Sequence, residues 1–397
     1  MRRDVFIVKK LISKVVLGGI LLASTKAYAD APAPKWYDTL AISGYTQGSY
    51  VYNIEQPQQA GITHTNAARI FDVESNSFNI NAFHLQIAKP MGDDNYAFTT
   101  KLHTGRDARV IHSVGTDAVG TVNFDVEEAY MTLAVPSLKK LTFTGGKFVT
   151  LEGVEVIESP MNPNFSEGYL FGFAEPFTHT GVKANYAFTD QFNATFGVVN
   201  GWDQAAALHD GKTIIWQLAM APSKMFNNSL QGSYGADGTT DNSSKLLSVD
   251  YVANATVTDK LSLWGQLNWG QTTNILLAGT PPVVPAYPGT VGPSTVRWMG
   301  AGLWATYAFT SLYSEALRYE VFQDDHGANH TGLGNVTLQE ITWTHKFQWT
   351  KALATRLEFR HDWSNSGLVF PAHNAGGVTG TTRAVQDTIS ADWVVTF

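Results

Sequence analysis

From Leu353 to Trp363 the side chains alternate in kind. Leu353, Thr355, Leu357, Phe359, His361 and Trp363 take one set of positions, and Arg356, Glu358, Arg360 and Asp362 take the other. A helix would scatter those four charges around its circumference, whereas a strand puts them on one wall. The same period recurs where Val182, Ala184, Tyr186 and Phe188 share a face and Lys183 and Asn185 oppose them. Alternation continues without a change of composition that would mark a domain boundary, so the chain reads as all-β.

Composition sharpens that reading. The sequence is 44% hydrophobic and 12% aromatic but only 15% charged. Yet beyond residue 29 no apolar run approaches the roughly 18 to 20 residues of a membrane-spanning helix. A strand that shows lipid one side chain and water the next keeps mean hydropathy near neutral, which is the pattern of a transmembrane barrel. Seven tight breaks, at 90–94, 136–138, 189–190, 222–224, 258–259, 310–311 and 350–351, separate the alternating segments. Three of the hairpins nearly repeat one another, through Tyr186-Ala-Phe-Thr-Asp, Asn254-Ala-Thr-Val-Thr-Asp and Tyr307-Ala-Phe-Thr-Ser. Eight longer polar or Gly/Pro-rich stretches lie between them, near 54–75, 107–121, 150–175, 202–211, 236–243, 272–293, 324–335 and 364–383. Seven turns and eight loops require about sixteen antiparallel strands with both ends on the short-turn side. In bacterial barrels those short turns are periplasmic and the long loops extracellular. A soluble β-sandwich also alternates, but it would leave so many aromatic strand ends unexplained.

The N-terminus agrees with export. Arg2, Arg3, Lys9, Lys10 and Lys14 precede a short apolar run over 15–23, and Ala27-Tyr28-Ala29 follows as a small-residue cleavage step. Residues 1–29 are thus expected to be a cleaved signal peptide, with Asp30 opening a single barrel domain over 30–397. Loss of six basic residues and one acid takes the formal net charge from −7 to −12, which argues against nucleic acid as a partner. There is no cysteine, hence neither a disulfide nor a thiolate metal site. The last strand alternates Ile389, Ala391, Trp393, Val395 and Phe397 with polar neighbours, and the chain stops on the aromatic ring. Trp393, Val395 and Phe397 are therefore expected to form the signal by which a barrel is handed to its assembly machinery.

About sixteen strands enclose more space than side chains fill, so an aqueous lumen is expected. Strand parity turns Lys101, His103, Glu128, His179, Lys183, Asp250, Arg318, Glu320, Glu340, Lys346, Arg356, Glu358, Arg360 and Asp362 inward. In a dry core those charges would be very costly, whereas in a wet lumen they cost little. The other reading of each is a local ion pair that ties the wall together. Glu315 falls on the lipid face, an exception that implies a bulge or a place at the periplasmic rim. Gly145-Gly146 is a candidate bulge, since plain alternation would put Lys147 in lipid.

The stretch over 145–181 is the most distinctive. It contains G-K-F-V-T-L-E-G-V-E-V-I at 146–157, S-P-M-N-P-N at 159–164 and P-F-T-H-T-G at 176–181. Through those motifs the chain resembles the β-barrel porin-2, or OmpL-like, family, which implies an outer-membrane barrel and supplies no substrate. The loop is apolar and glycine-rich enough to fold back into a barrel. It carries Glu152, Glu155, Glu158, Glu167 and Glu175, which would attract cations and repel anions if the loop narrowed the lumen. Otherwise it is an extracellular loop in water.

No G-x-S-x-G, paired-histidine helix or phosphate loop is present, and no cofactor or metal is expected. The loop over 324–330 has donors for a divalent ion, but such loops are more often simply solvated. The reading is a passive channel for small hydrophilic solutes or ions with a mild cation preference, set in outer-membrane lipid and lipopolysaccharide, with a homotrimer in view. Its rivals are a structural barrel whose loops engage a ligand and, third, an outer-membrane hydrolase.

Overall fold

The computed structural model describes residues 36–59, 62–63, 65–115, 122–236, 242–275, 294–325, 331, 333, 335–365, 369–372 and 382–397. The expected signal peptide, its cleavage step and residues 326–330 of the candidate metal loop lie outside those residues. Sixteen antiparallel strands form a closed barrel. They are β1 (Ala41–Asn53), β2 (Ser77–Lys89), β3 (Tyr96–Thr104), β4 (Phe124–Val135), β5 (Leu138–Val149), β6 (Thr178–Ala187), β7 (Phe192–Val199) and β8 (Thr213–Met220). β9 (Phe226–Ala236), β10 (Lys245–Thr256), β11 (Leu261–Ile275), β12 (Ser294–Ala308), β13 (Tyr313–Asp324), β14 (Val336–Gln348), β15 (Leu353–Ser364) and β16 (Val385–Thr396) complete it. Each strand pairs with its neighbour in sequence, and β16 returns to β1 with Trp393 opposite Gly48. Two short strand pairs, Gln58–Gln59 with Ile62–Thr63 and Phe370–Pro371 with Thr382–Arg383, sit in long loops.

The faces are inverted relative to a water-soluble protein. Phe78 is 86% exposed and Leu303 65%, whereas Asp250, Arg318 and Glu340 are fully buried. Lipid explains the outside, and closure explains why no strand edge is left with unpaired backbone groups. Among the described residues no helix is long and apolar enough to cross a membrane; the strands do so.

Seven short turns join the strands at one end and eight long loops at the other, as the sequence breaks imply. Five of the short turns share one device. The hydroxyls of Thr189, Ser223, Thr258, Thr310 and Thr350 each accept backbone N–H bonds from the residues two and three positions on. A hydroxyl that mimics a backbone acceptor fixes the reversal without glycine. Outward aromatic rings crowd this rim: Tyr307 meets Phe309 edge to face, Phe309 stacks on Tyr313, and Phe347 and Trp349 follow. Glu315 belongs there. It points outward near the start of β13, accepts from the Tyr313 hydroxyl at 2.5 Å and the Trp343 indole at 3.3 Å, and has His345 at 3.6 Å.

The proposed Gly145-Gly146 bulge is not present, for β5 keeps unbroken register there with both β4 and β6. Instead Gly146 takes φ +133°, and an added Cβ would lie 2.2 Å from the Ala129 carbonyl oxygen. Lys147 keeps its outward register and escapes lipid because its ammonium bends to Asp125 Oδ2 at 2.8 Å and the Val126 carbonyl at 2.8 Å.

Candidate functional site

The third long loop, 150–177, packs against the inward face of the wall. It holds a 3-10 turn at Ser159–Met161 and a short helix at Tyr169–Phe173. Pro160 suits the first turn of the former because it has no N–H to satisfy. Tyr169, Leu170 and Phe173 bury against Trp298, Trp304, Phe322 and Leu338, the inward apolar residues of β12 to β14. Gly300 and Gly302 make the seat: a Cβ at Gly300 would lie 2.2 Å from Leu170 Cδ2, so glycine alone lets the helix approach the sheet.

Backbone in this position must find partners within the barrel. Wall acids take its N–H groups. Glu358 accepts from Phe165 N at 2.7 Å and Ser166 N at 3.0 Å, Glu320 from Tyr169 N and Leu170 N, and Asp250 from Gly153 N at 3.0 Å. Wall arginines take its carbonyls. Arg356 donates to the Ser159, Asn162 and Asn164 oxygens, Arg360 to Glu167 O at 2.7 Å and Arg318 to Ser166 O at 2.5 Å. These are charge-assisted bonds, stronger than neutral ones, made by residues on strands fixed by pairing.

The five loop glutamates divide by partner. Glu155 pairs with Arg318 at 2.6 Å and accepts Gly168 N at 2.7 Å. Glu158 meets Lys101, whose ammonium also lies 2.6 Å from Glu128. Glu152 and Glu175 face neutral donors only, Ser248 Oγ at 2.7 Å and Gln266 Nε2 at 2.9 Å, with Asp250 close by. Burial, and then the Asp250 charge, pushes the Glu152 carboxyl up to about 8. The same causes, in the same order, raise Glu175. Glu167 is raised by burial and by Asp107.

The inward residues lie where parity puts them, but most do not meet open water. His103, Asp250, Arg318, Glu320, Glu340 and Asp362 are each completely buried, and Glu128, His179, Arg356, Glu358 and Arg360 nearly so. Arg318 and Glu340 pair at 2.8 Å, as do Arg360 and Asp362. His179 Nδ1 lies 3.1 Å from the Gly201 carbonyl. Lys183, its ammonium 4.0 Å from the Phe148 ring centre, and Lys346 stay only half-buried. A lumen of water alone would have left the set exposed; wall neighbours, the third loop and residues of other loops such as Arg69 and Gly201 cover it instead.

Sequence reasoning missed Glu127, His84, Arg69 and Asp392 as members of this network. Glu127 escaped because a register shift opposite Lys101 and Leu102 turns both Glu127 and Glu128 inward, where parity allows only one. Arg69 sits in the first long loop, where no period exists to read, and bridges Asp72 and Asp362. Asp392, on the inward positions of the last strand, binds Arg356 at 2.7 Å. His84 had a legible signal, an inward place on β2 beside His103.

The barrel resembles several solved outer-membrane proteins. The outer membrane channel DcaP of Acinetobacter baumannii superposes with a TM-score of 0.58 at 11% identity, covering 90% of this chain and 97% of that one. The anion-selective porin from Comamonas acidovorans gives 0.58 at 12% identity, with 90% and 99% covered. OmpF of Salmonella typhi, solved in complex with daunomycin, gives 0.55 at 12% identity, with 90% and 97% covered. At these identities the likeness is one of fold. No curated protein matches the sequence itself. A family profile does so over residues 39–397, the whole barrel and nearly the whole chain, and by that match the chain belongs to the family described as "Putative beta-barrel porin-2, OmpL-like".

Proposed function

We propose that this outer-membrane porin channel passes small hydrophilic solutes and ions by passive diffusion, with a mild preference for cations, and that the loop 150–177 is its constriction. The observation that carries the reading is the loop itself. It holds five glutamates and no lysine, arginine or histidine, and it is bonded to the wall from β10 round to β15. A narrowed, acid-bearing section favours cations because ions pass within a Debye length of it, about 10 Å at 0.1 M salt. Family and fold favour a channel over the hydrolase reading.

The same reading carries the cellular route. Residues 1–29 direct export and are removed before Asp30. Trp393, Val395 and Phe397 are then read by the assembly machinery, and the barrel settles among phospholipid and lipopolysaccharide as a homotrimer. One OmpT structure of Vibrio cholerae, similar in fold with a TM-score of 0.54 at 10% identity, is of a trimer form.

Planar-bilayer recording of the purified barrel tests the proposal. Stepwise conductance with a cation-signed zero-current potential in a KCl gradient is expected. Recorded above about pH 8, where the Glu152 carboxyl is charged, replacing Glu152, Glu155 and Glu158 by Gln should move that potential toward anions, with a smaller shift at about 1 M salt. An unchanged potential in the triple variant, beside a clear change on replacing Lys183 and Lys346 by Gln, would put the filter on the wall. Absence of conductance would overturn the diffusion reading itself.

A further inference from the structure

We propose that the junction of β2, β4 and the third loop is a binding site for a divalent transition metal of the Zn2+ class, ligated by His84, Glu127 and Glu158. One ligand atom from each of the three lies within 4.8 Å of the other two. An ion bound tetrahedrally at about 2.0–2.2 Å from each sets its ligand atoms about 3.4 Å apart, so the side chains would close on it by up to about 1.4 Å. Each ligand comes from a different element, so the ion would tie the loop to the wall.

Charge supports a cation here. Glu127, Glu128 and Glu158 converge on one fixed cation, Lys101, whose ammonium is 3.7 Å from Glu127 and 2.6 Å from Glu128 and also contacts Glu158. With neutral imidazoles that set carries two uncompensated negative charges. His84 is 3% exposed and Glu127 fully buried, so the excess is held away from water at high cost. A divalent ion removes it.

Unused donors point the same way. Among the described residues neither ring nitrogen of His84 makes a hydrogen bond, although Nε2 is 3.5 Å from Glu127 Oε2, and Glu127 Oε1 is also without one. The His84 ring is held by stacking on Tyr45 at 5.0 Å between centres. His103 Nδ1 lies 2.9 Å from Glu127 Oε2, where an imidazole N–H would orient the carboxylate as an outer partner. An imidazole beside two carboxylates suits Zn2+, Co2+ or Mn2+, whereas Mg2+ and Ca2+ favour oxygen alone. On binding, Lys101 would keep Glu128 and release Glu158.

The alternative is that His84 and His103 hold the compensating charge as protons, and one experiment separates the two. The full barrel, folded in detergent and stripped with EDTA, is titrated with ZnCl2 by calorimetry near neutral pH. One Zn2+ per barrel is expected, undisturbed by equal Mg2+. His84→Gln, Glu127→Gln and Glu158→Gln should each weaken it by about tenfold or more, while His361→Gln on the outer face should not. No stoichiometric binding, equal competition by Mg2+, or binding retained in His84→Gln would overturn the site. Heat-dependent gel mobility checks that each variant is folded. Should one fail to fold, the zinc K-edge spectrum of the unaltered barrel decides, since a shell of oxygen alone or of several imidazoles refutes this ligand set.

Discussion

Arg318 carries its guanidinium between Glu340 on the next strand and Glu155 on the loop, with Thr342 and the Ser166 carbonyl taking further N–H groups. Removing it leaves the buried Glu155 carboxylate without its cation and Glu340 with only the more distant Arg360, at 3.5 Å. Arg318→Ala is therefore expected to lower unfolding stability by about 3–5 kcal/mol, read from guanidinium or thermal unfolding of the folded barrel. Glu152 gives a pH dependence of the opposite character to an ion pair. Its folded carboxyl is pushed up to about 8, so the folded state keeps a proton that the unfolded chain has released. The unfolded chain then binds fewer protons, and stability falls as pH rises between the ordinary glutamate range and about 8. Asp203, raised to about 7 by burial, adds to the same slope. Melting temperature followed from pH 5 to pH 9 should decline, and Glu152→Gln should flatten the decline. An unchanged slope in that variant would remove Glu152 as its source.

At the scale of elements, the strands were the most legible part. In β15 the period places Leu357 and Phe359 outward at 48% and 41% exposure and Arg356 and Arg360 inward, as parity required. Leu357→Arg should destabilise the barrel by about 2–4 kcal/mol near the bilayer midplane and less toward either interface. Labelling by a water-soluble thiol reagent now separates inward positions by depth rather than by parity alone. Lys346→Cys, half-buried, should react readily, Arg360→Cys slowly because the loop covers it, and Leu357→Cys not at all from water. Fast reaction at position 360 would mean that the loop leaves the wall. Turns were legible where a hydroxyl stood at a fixed step, as at Thr189, Thr258 and Thr310. The bulge beside Glu127 was not, because an inserted residue changes parity without changing composition.

Across the whole molecule, closure rests on the seam between β1 and β16. Phe397 N and O both pair with Gly44 at 3.0 Å, and its ring stacks 6.2 Å from Phe83. Gly44 leaves room for it, since a Cβ there would lie 2.6 Å from Phe397 Cζ. Deleting Phe397 should slow assembly, measured as the heat-modifiable band recovered in outer membranes over time. Phe397→Ala keeps the backbone bonds, so an equal delay in that variant assigns the effect to the ring, and normal assembly in both would discard the terminal signal.

What the sequence determined by itself was the solvent pattern: a two-residue period with polar residues on one face, broken at short and long intervals, has few solutions besides a closed barrel in lipid. Local chemistry sufficed for that, since neighbouring residues decide strand, turn and face. Which inward charges meet water was decided only in three dimensions. Arg356 is bonded to carbonyls at 159, 162 and 164, nearly two hundred residues away in sequence, and nothing near Arg356 encodes that contact. The loop's path depends on Gly300 and Gly302 leaving room on a distant strand and on wall acids and arginines arriving at matching heights. Such pairings arise from strand register summed around the barrel, so only the folded barrel turns its inward charges into partners for the loop backbone.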